Sequence, residues 1–349
     1  MKTAMLYTIA ALELLVLAYM AGEREWVVRF GRTVYLRTAP VDPRDVMRGD
    51  YVRLAYDITR VSTGQCSATL AALLSSSNGA PEDAKVYAVL RTNEDDLAEL
   101  DILTDERPAG GLYLRGRLER SWALGANVRY GLGAYFMEQG AALALEEARV
   151  RDGVMAPLEM AVGVGARGLA VIKGHRWCAL GAKLVIQETN VVLQSGDTAS
   201  RSTRAEVLLV NTSTGPVAVV DMPGGRSLAL LPDARWDWGR WRWSGEGRAV
   251  PAPQARDVFV LQTGEWRSIH VEFADPYWNL LPLTNGDAGM SAVPLRDLLD
   301  TSSPSFEWSD RFRFEYRPPG AESCAGLPGA GLIWHGTLPT RAFSATGFD

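Results

Sequence analysis

Val41-Asp-Pro-Arg-Asp-Val-Met-Arg-Gly-Asp-Tyr-Val-Arg-Leu-Ala-Tyr-Asp-Ile58 passes from a turn into a strand. Pro40 and Pro43 hold the backbone extended or turned, Gly49-Asp50 is a turn dipeptide, and from Tyr51 polar and apolar residues alternate. A strand over Tyr51–Ile58 places Val52, Leu54, Tyr56 and Ile58 on one face, with Tyr51, Arg53, Ala55 and Asp57 on the other.

Towards the N terminus, Thr3–Gly22 is a run of twenty residues whose only charge is Glu13. As a helix rising about 1.5 Å per residue it reaches roughly 30 Å, enough to cross the hydrocarbon of a bilayer. Its exit, Ala18-Tyr19-Met20-Ala21-Gly22, puts bulky residues where a cleavage site wants small ones, so residues 1–29 read as an uncleaved transmembrane helix and a juxtamembrane segment. An ionised group near mid-membrane costs on the order of 3 kcal/mol on insertion scales. Glu13 is then either a neutral carboxyl tolerated in a single anchor or an intramembrane contact, hydrogen-bonded to another transmembrane helix. Orientation is pulled both ways. Arg24, Arg29, Arg32 and Arg37 follow the span and by the basic-residue count keep the body inside the cell, whereas a short tail ahead of an uncleaved anchor commonly stays in the cytoplasm.

Residues 30–174 read as a β-rich α+β domain close to the membrane. Candidate strands are Thr33–Arg37, Tyr51–Ile58, Lys85–Arg91, Ala98–Leu103 and Leu112–Arg120, with Glu159–Val164 and Leu169–Lys173 forming a hairpin about Gly165–Gly168. Ala68–Leu74 fits a short helix, and Ala141–Arg151, rich in good helix formers after Gly140, fits a better one.

Gly49-Asp50-Tyr51, Leu54 and Tyr56 match position for position the pattern that names the GDYXXLXY protein family, which this part of the chain resembles. The preceding Pro-Val-Asp-Pro-Arg-Asp run, the N-terminal anchor, and the aromatic stretch Arg129–Glu138 leading into the helix are similar to that family too. The resemblance covers roughly residues 3–174. It implies a membrane-anchored bacterial protein of the cell envelope, alone or fused to polytopic membrane domains, with an exported body and a regulatory link to amylopullulanase-like enzymes. It names no activity. With the exported body it favours the extracytoplasmic side for the soluble domains of a single-pass protein of the cell membrane.

The signature sits in a dense cluster of mixed charge. In one reading Asp50 caps the turn while the arginines and aspartates pair with one another. In the other, Asp42, Arg44, Asp45, Arg48 and Arg53 form a docking surface held near the membrane for a partner protein.

After Gly174 the texture changes, and residues 175–349 hold nine of the eleven tryptophans. Short alternating runs recur at Lys183–Glu188, Ala205–Asn211, Pro216–Asp221, Ser227–Leu231, Asp257–Gln262, Ser268–Phe273, Arg311–Tyr316 and Leu332–Leu338. Strands separated by Gly, Pro, Asn and Ser turns, with hardly a helical period among them, predict an antiparallel β-sandwich of Ig-like type. Ile269–Pro276 followed by Tyr277-Trp278 predicts a strand leading into an aromatic corner. Trp236, Trp238, Trp241 and Trp243 recur at spacing two on either side of Gly239-Arg240. Exposed, they form a flat platform for sugar rings or a protein; buried, they fill the core or cover its end.

Composition narrows the function classes. A net charge of -5 and a pI near 5.5 argue against binding a phosphate backbone, so nucleic acid is set aside. Cys66, Cys178 and Cys324 lack CxxC spacing, and His175, His270 and His335 lack metal-ligand spacing, so neither metal nor cofactor is expected. Nucleophile elbow, P-loop and dinucleotide fingerprint are missing, and Val162-Gly163-Val164-Gly165 leads into a strand, as a hairpin does. The expectation is a non-enzymatic accessory or regulatory protein that binds a protein partner, with a polytopic membrane protein in view. Binding of an envelope glycan through the tryptophans is the alternative. A hydrolase comes third, and requires His270 or His335 beside Asp275 and a serine such as Ser268 or Ser344.

Overall fold

The computed structural model describes residues 2–39, 51–76, 81–93, 96–122, 125–136, 150–192, 198–232, 241–282, 291–298 and 311–344, and the structural statements below concern these. They fall into two compact units. Met1–Glu146 with Pro157–Trp177 makes the first, and Glu147–Ala156 with Cys178–Asp349 the second.

The first unit opens with helix α1 (Lys2–Phe30), a continuous helix of 29 residues. Among the described residues no helix is long and apolar enough to cross a membrane on the usual hydropathy measure. Nine strands and a helix follow: β1 (Arg32–Ala39), β2 (Tyr51–Arg53), β3 (Ala55–Tyr56), β4 (Arg60–Ser62), α2 (Ala68–Leu74), β5 (Lys85–Thr92), β6 (Ala98–Thr104), β7 (Tyr113–Trp122), β8 (Gly125–Arg129) and β9 (Ala134–Phe136). The chain then gives the hairpin of β10 (Val150–Arg151) and β11 (Val154–Met155) to the second unit, and returns as β12 (Leu158–Val164) and β13 (Ala170–Trp177).

Among the described residues the named strands pair antiparallel, in the orders β13-β12-β1-β3 and β4-β8-β7-β5-β6, with β2-β9 apart, and single parallel bridges join Tyr35 to Leu97 and Cys66 to Leu103. Alternation drives the packing. Val34, Leu36, Met160 and Val162 of one sheet meet Val86, Ala88, Leu114 and Leu118 of the other in a single core, to which α2 adds Leu70 and Leu74. The α2 N-terminus is capped by Ser67, whose hydroxyl accepts from the Leu70 amide at 3.3 Å.

Two expectations for this unit change. The strand over Tyr51–Ile58 is broken at Leu54 and ends in a 3-10 turn at Asp57–Thr59, because its halves pair with different partners. Of the helix Ala141–Arg151, residues 141–149 lie outside the described residues, and Val150–Arg151 is extended, paired with Val154–Met155. Asp152 and Gly153, both at positive φ, turn that hairpin tightly, and β-branched Val150 and Val154 favour the strand.

The second unit continues through β14 (Leu180–Val192), β15 (Thr198–Asn211), β16 (Val217–Val220), β17 (Leu228–Pro232), β18 (Trp241–Trp243), β19 (Val258–Leu261), β20 (Trp266–Glu272), β21 (Leu280–Pro282), β22 (Arg311–Tyr316), β23 (Leu338–Pro339) and β24 (Phe343–Ser344). A five-stranded antiparallel sheet runs β10-β11-β14-β15-β20, and a four-stranded one runs β17-β22-β23 with β24 also on β22. Leu184, Val207 and Ile269 of the first share a core with Leu230, Phe312 and Phe314 of the second, and Trp278 is fully buried among them. Leu332–Leu338 is not a strand: Ala330–Leu332 is a 3-10 turn and only Leu338 enters β23. Its apolar residues are fixed singly instead, with the Trp334 amide donating to the Ala218 carbonyl at 3.0 Å.

Candidate functional site

The foot of α1 rests against the β12–β13 edge of the first unit. Val27 is buried against β12, and this approach needs glycine. A Cβ on Gly163 would lie 3.0 Å from the Val27 carbonyl oxygen, one on Gly165 would lie 2.7 Å from Val27 Cγ2, and Gly31 is closed off by that same carbonyl. The helix is therefore seated in a glycine notch. Its other face stays open, where Trp26 and Phe30 are 66% and 67% exposed with ring centroids 4.5 Å apart.

From the notch, the β12–β13 hairpin runs back alongside the helix. Its turn closes through Gly165 and Gly168, the latter at φ 72°. Tyr113 braces the turn: its hydroxyl donates to the Ala166 carbonyl at 3.1 Å and accepts from Arg107 Nε at 3.1 Å. At the tip, Arg167 Nη1 reaches the Tyr19 hydroxyl at 3.4 Å.

The signature strand is legible in part. β2 pairs with β9 (Val52 opposite Tyr135) and β3 pairs with β1 (Tyr56 opposite Thr38), so the chain changes partner at Leu54. The segment before β9 holds the crossing. Gly133 O accepts from the Leu54 amide at 3.0 Å, and Leu132 O accepts from the Tyr56 hydroxyl at 3.0 Å. Tyr130 returns the contact, donating to Ile58 O at 3.0 Å. Burial raises the phenols of Tyr56 and Tyr130 well above the ordinary range, and it raises the Cys66 thiol to about 11. Leu54 and Tyr56 are thus core and crossing residues. Gly49, Asp50, Asp42, Arg44, Asp45 and Arg48 lie outside the described residues, as do the side chains of Tyr51 and Arg53.

Sequence reasoning missed a charged row on the same sheet. Arg37, Glu159 and Arg176 stand opposite one another on β1, β12 and β13. The Glu159 carboxylate, almost fully buried, accepts from Arg37 Nη2 at 3.4 Å and from Arg176 Nε at 2.8 Å. The Arg176 guanidinium lies 3.5 Å over the Tyr35 ring. Nothing in the local pattern singles out these residues, because only the strand register brings them together.

In the second unit the tryptophans divide. Trp236 and Trp238 lie outside the described residues. Trp241 is half-buried against the core, and Trp243 is 7% exposed. The Trp243 indole donates to Tyr277 O at 2.7 Å and stacks on Trp278 at 6.0 Å, so its faces are spent on the core. The aromatic corner forms as a 3-10 turn, Pro276–Trp278, whose start Asp275 caps by accepting from the Tyr277 amide at 2.8 Å.

The residues considered for a hydrolase go to separate places. Asp275 is taken by Arg226 at 2.9 Å, His270 Nδ1 faces Glu206 at 3.6 Å, and His335 Nδ1 lies 3.3 Å from Pro319 O. Ser268 donates to Glu206 at 3.4 Å, and the Ser344 side chain lies outside the described residues. A cleft of about 340 Å³ opens beside His270, lined also by Asp221, Gly224, Asp257, Phe259 and Arg267. Arg267 stacks on Phe259 at 3.6 Å and binds Asp221 at 2.7 Å through both Nε and Nη2. Burial raises the Asp221 carboxyl above its ordinary range in spite of Arg267 and His270, and Asp257 adds to the rise. Two charge pairs line the cleft, Arg267–Asp221 and Arg256–Asp257, the latter at 3.8 Å.

The first unit is thus an antiparallel β domain seated on the end of a long helix. Residues 13–174 match the family model described as GDYXXLXY protein. The match takes in α1 from Glu13 onward, the signature stretch, β12 and β13 as far as Gly174. No curated protein and no solved structure is similar to the chain.

Proposed function

We propose that this protein is a membrane-anchored, non-enzymatic accessory protein of the cell envelope that binds a protein partner. The carrying observation is α1. From Tyr7 to Met20 its large apolar side chains are exposed on every face, Leu14 and Leu15 at 67% each, while its last turns are locked into the glycine notch. A helix apolar all round needs a surrounding that is not water. No described helix reaches the apolar length of a span, so the span in this reading rests on the sequence run Thr3–Gly22, which carries Glu13 alone. The soluble units lie on the extracytoplasmic side in this reading, reached by protease added to spheroplasts.

The partner surface includes the open aromatic pair Trp26 and Phe30 just beyond the span, together with Asp42, Arg44, Asp45, Arg48 and Arg53. Glu13 supplies a second contact within the membrane. We read the second unit as a binding β-sandwich of Ig-like type, supported by the single core that its two larger sheets share. Glycan binding draws no support from Trp243, which the core consumes.

The test is purification of the full-length protein from native membranes in mild detergent, wild type beside Glu13→Leu. A stoichiometric polytopic partner that accompanies the wild type and is lost in the variant is the expected result. A wild type that comes out alone sinks the accessory reading.

A further inference from the structure

We infer that the tip of the β12–β13 hairpin, Gly165–Gly168, with Arg167 and Arg107, is a docking surface for the anionic headgroups of the same membrane that holds α1. The inference rests on the anchor reading and adds the face that meets the lipid.

The helix itself gives the geometry. Val27 in the notch and Tyr19 at the tip are eight residues apart in the sequence, about 12 Å along the axis. The hairpin therefore descends beside the helix until Arg167 stands level with Tyr19, inside the last turn of the apolar run Thr3–Gly22. That is the depth at which a bilayer's hydrocarbon gives way to headgroups, where tyrosine and arginine are the residues that anchor. A chain segment held at that depth has to meet lipid.

The chemistry matches the depth. Arg167 is exposed, and its guanidinium sits at the level of the Tyr19 hydroxyl, where its long stem leaves the charge open to a phosphate. Arg107 is bound to the Tyr113 hydroxyl, which holds the Ala166 carbonyl, and Arg115 gives its backbone amide to Gly168 O at 2.8 Å. Two exposed guanidinium groups, those of Arg167 and Arg107, thus lie at one turn, which the Arg115 backbone helps to hold. Asp105 and Glu106 precede Arg107 in the chain, and Asp105 accepts from the Ser67 hydroxyl at 3.3 Å, while on α1 Glu25 is engaged by Arg29 at 2.6 Å.

The turn is also prepared for contact. A Cβ on Gly168 would lie 2.7 Å from the Tyr113 ring, so the tip is packed rigidly against β7. A rigid basic tip loses little entropy when it meets a charged surface.

The test uses the full-length protein in vesicles, with bimane on Ala166→Cys and nitroxide on the lipid headgroups. Cys178 and Cys324 are buried and the Cys66 thiol is raised to about 11, so the introduced thiol labels first. Vesicles of phosphatidylcholine alone are compared with phosphatidylcholine mixed with phosphatidylglycerol. Headgroup nitroxide is expected to quench the bimane, more strongly with phosphatidylglycerol. Arg167→Gln and Arg107→Gln should each lower the docked-to-free ratio of the tip by about fivefold in the anionic vesicles. Quenching that ignores lipid charge and both variants overturns anion recognition, and absence of quenching overturns the contact altogether. An alkaline carbonate wash separates the two readings. Protein that stays in the vesicles with an unquenched tip keeps the anchor and loses this inference, whereas protein that washes out loses the anchor.

Discussion

Glu159 holds two arginines on one buried carboxylate, and its removal leaves a guanidinium facing a low-dielectric interior. Breaking one side of such a pair costs about 3–5 kcal/mol. Glu159→Leu is expected to lose that much in urea denaturation, while the double variant with Arg37→Met recovers part of it. A loss of under about 1 kcal/mol would show that the row is solvated in solution. Cys66 tests the burial of the crossing at the same scale. With its thiol raised to about 11, only about one molecule in a thousand carries the thiolate at pH 8. Alkylation at Cys66 should therefore climb about tenfold per pH unit from 8 to 10, where an unburied cysteine has already levelled off. A plateau near pH 9 contradicts the packing around Tyr130.

Among elements, the glycine notch and the α2 cap each rest on one or two atoms. Gly165→Val places side-chain atoms into Val27, and overpacking of this kind costs about 1–3 kcal/mol. The expected readout is faster amide exchange in Val27–Phe30, with the five-stranded sheet of the first unit unchanged. Ser67→Ala removes the cap on α2 and should cost about 1 kcal/mol in thermal or urea unfolding. Most strands were readable because alternation and core face coincide, as in Arg311–Tyr316, where Phe312, Phe314 and Tyr316 are all buried. The break at Leu54 was not, because apolar residues keep alternating across a change of partner, and partner choice is a non-local property. Leu332–Leu338 deceived for the opposite reason: Ile333 and Trp334 are buried without a ladder behind them, only Leu338 enters β23, and Leu332 is exposed. Of the candidate site, the apolar run, Tyr56 and the hairpin turn were visible in the sequence. The Arg37–Glu159–Arg176 row and the meeting of Arg167 with Tyr19 depend on register and docking, which local pattern does not encode.

At the scale of the molecule, the two units are not consecutive in sequence. The turn of texture at Gly174 falls near the end of β13, yet Glu147–Ala156 is claimed by the second unit, where β11 pairs with β14 through Met155 and Ala182. A fragment 178–349 lacks that hairpin and bares the edge of the long β14. It should unfold at lower urea and aggregate more readily than the intact chain, and equal behaviour would make β10 and β11 dispensable. The continuity of α1 into the notch has a last consequence for how the protein meets its surroundings. A domain on a flexible tether sweeps a hemisphere and trades local concentration for reach. Here helix and sheet of the first unit turn as one lever whose radius the notch fixes; under the proposed anchoring, a tilt of α1 would swing the β domain with it and bring only neighbours at one height and bearing within its grasp.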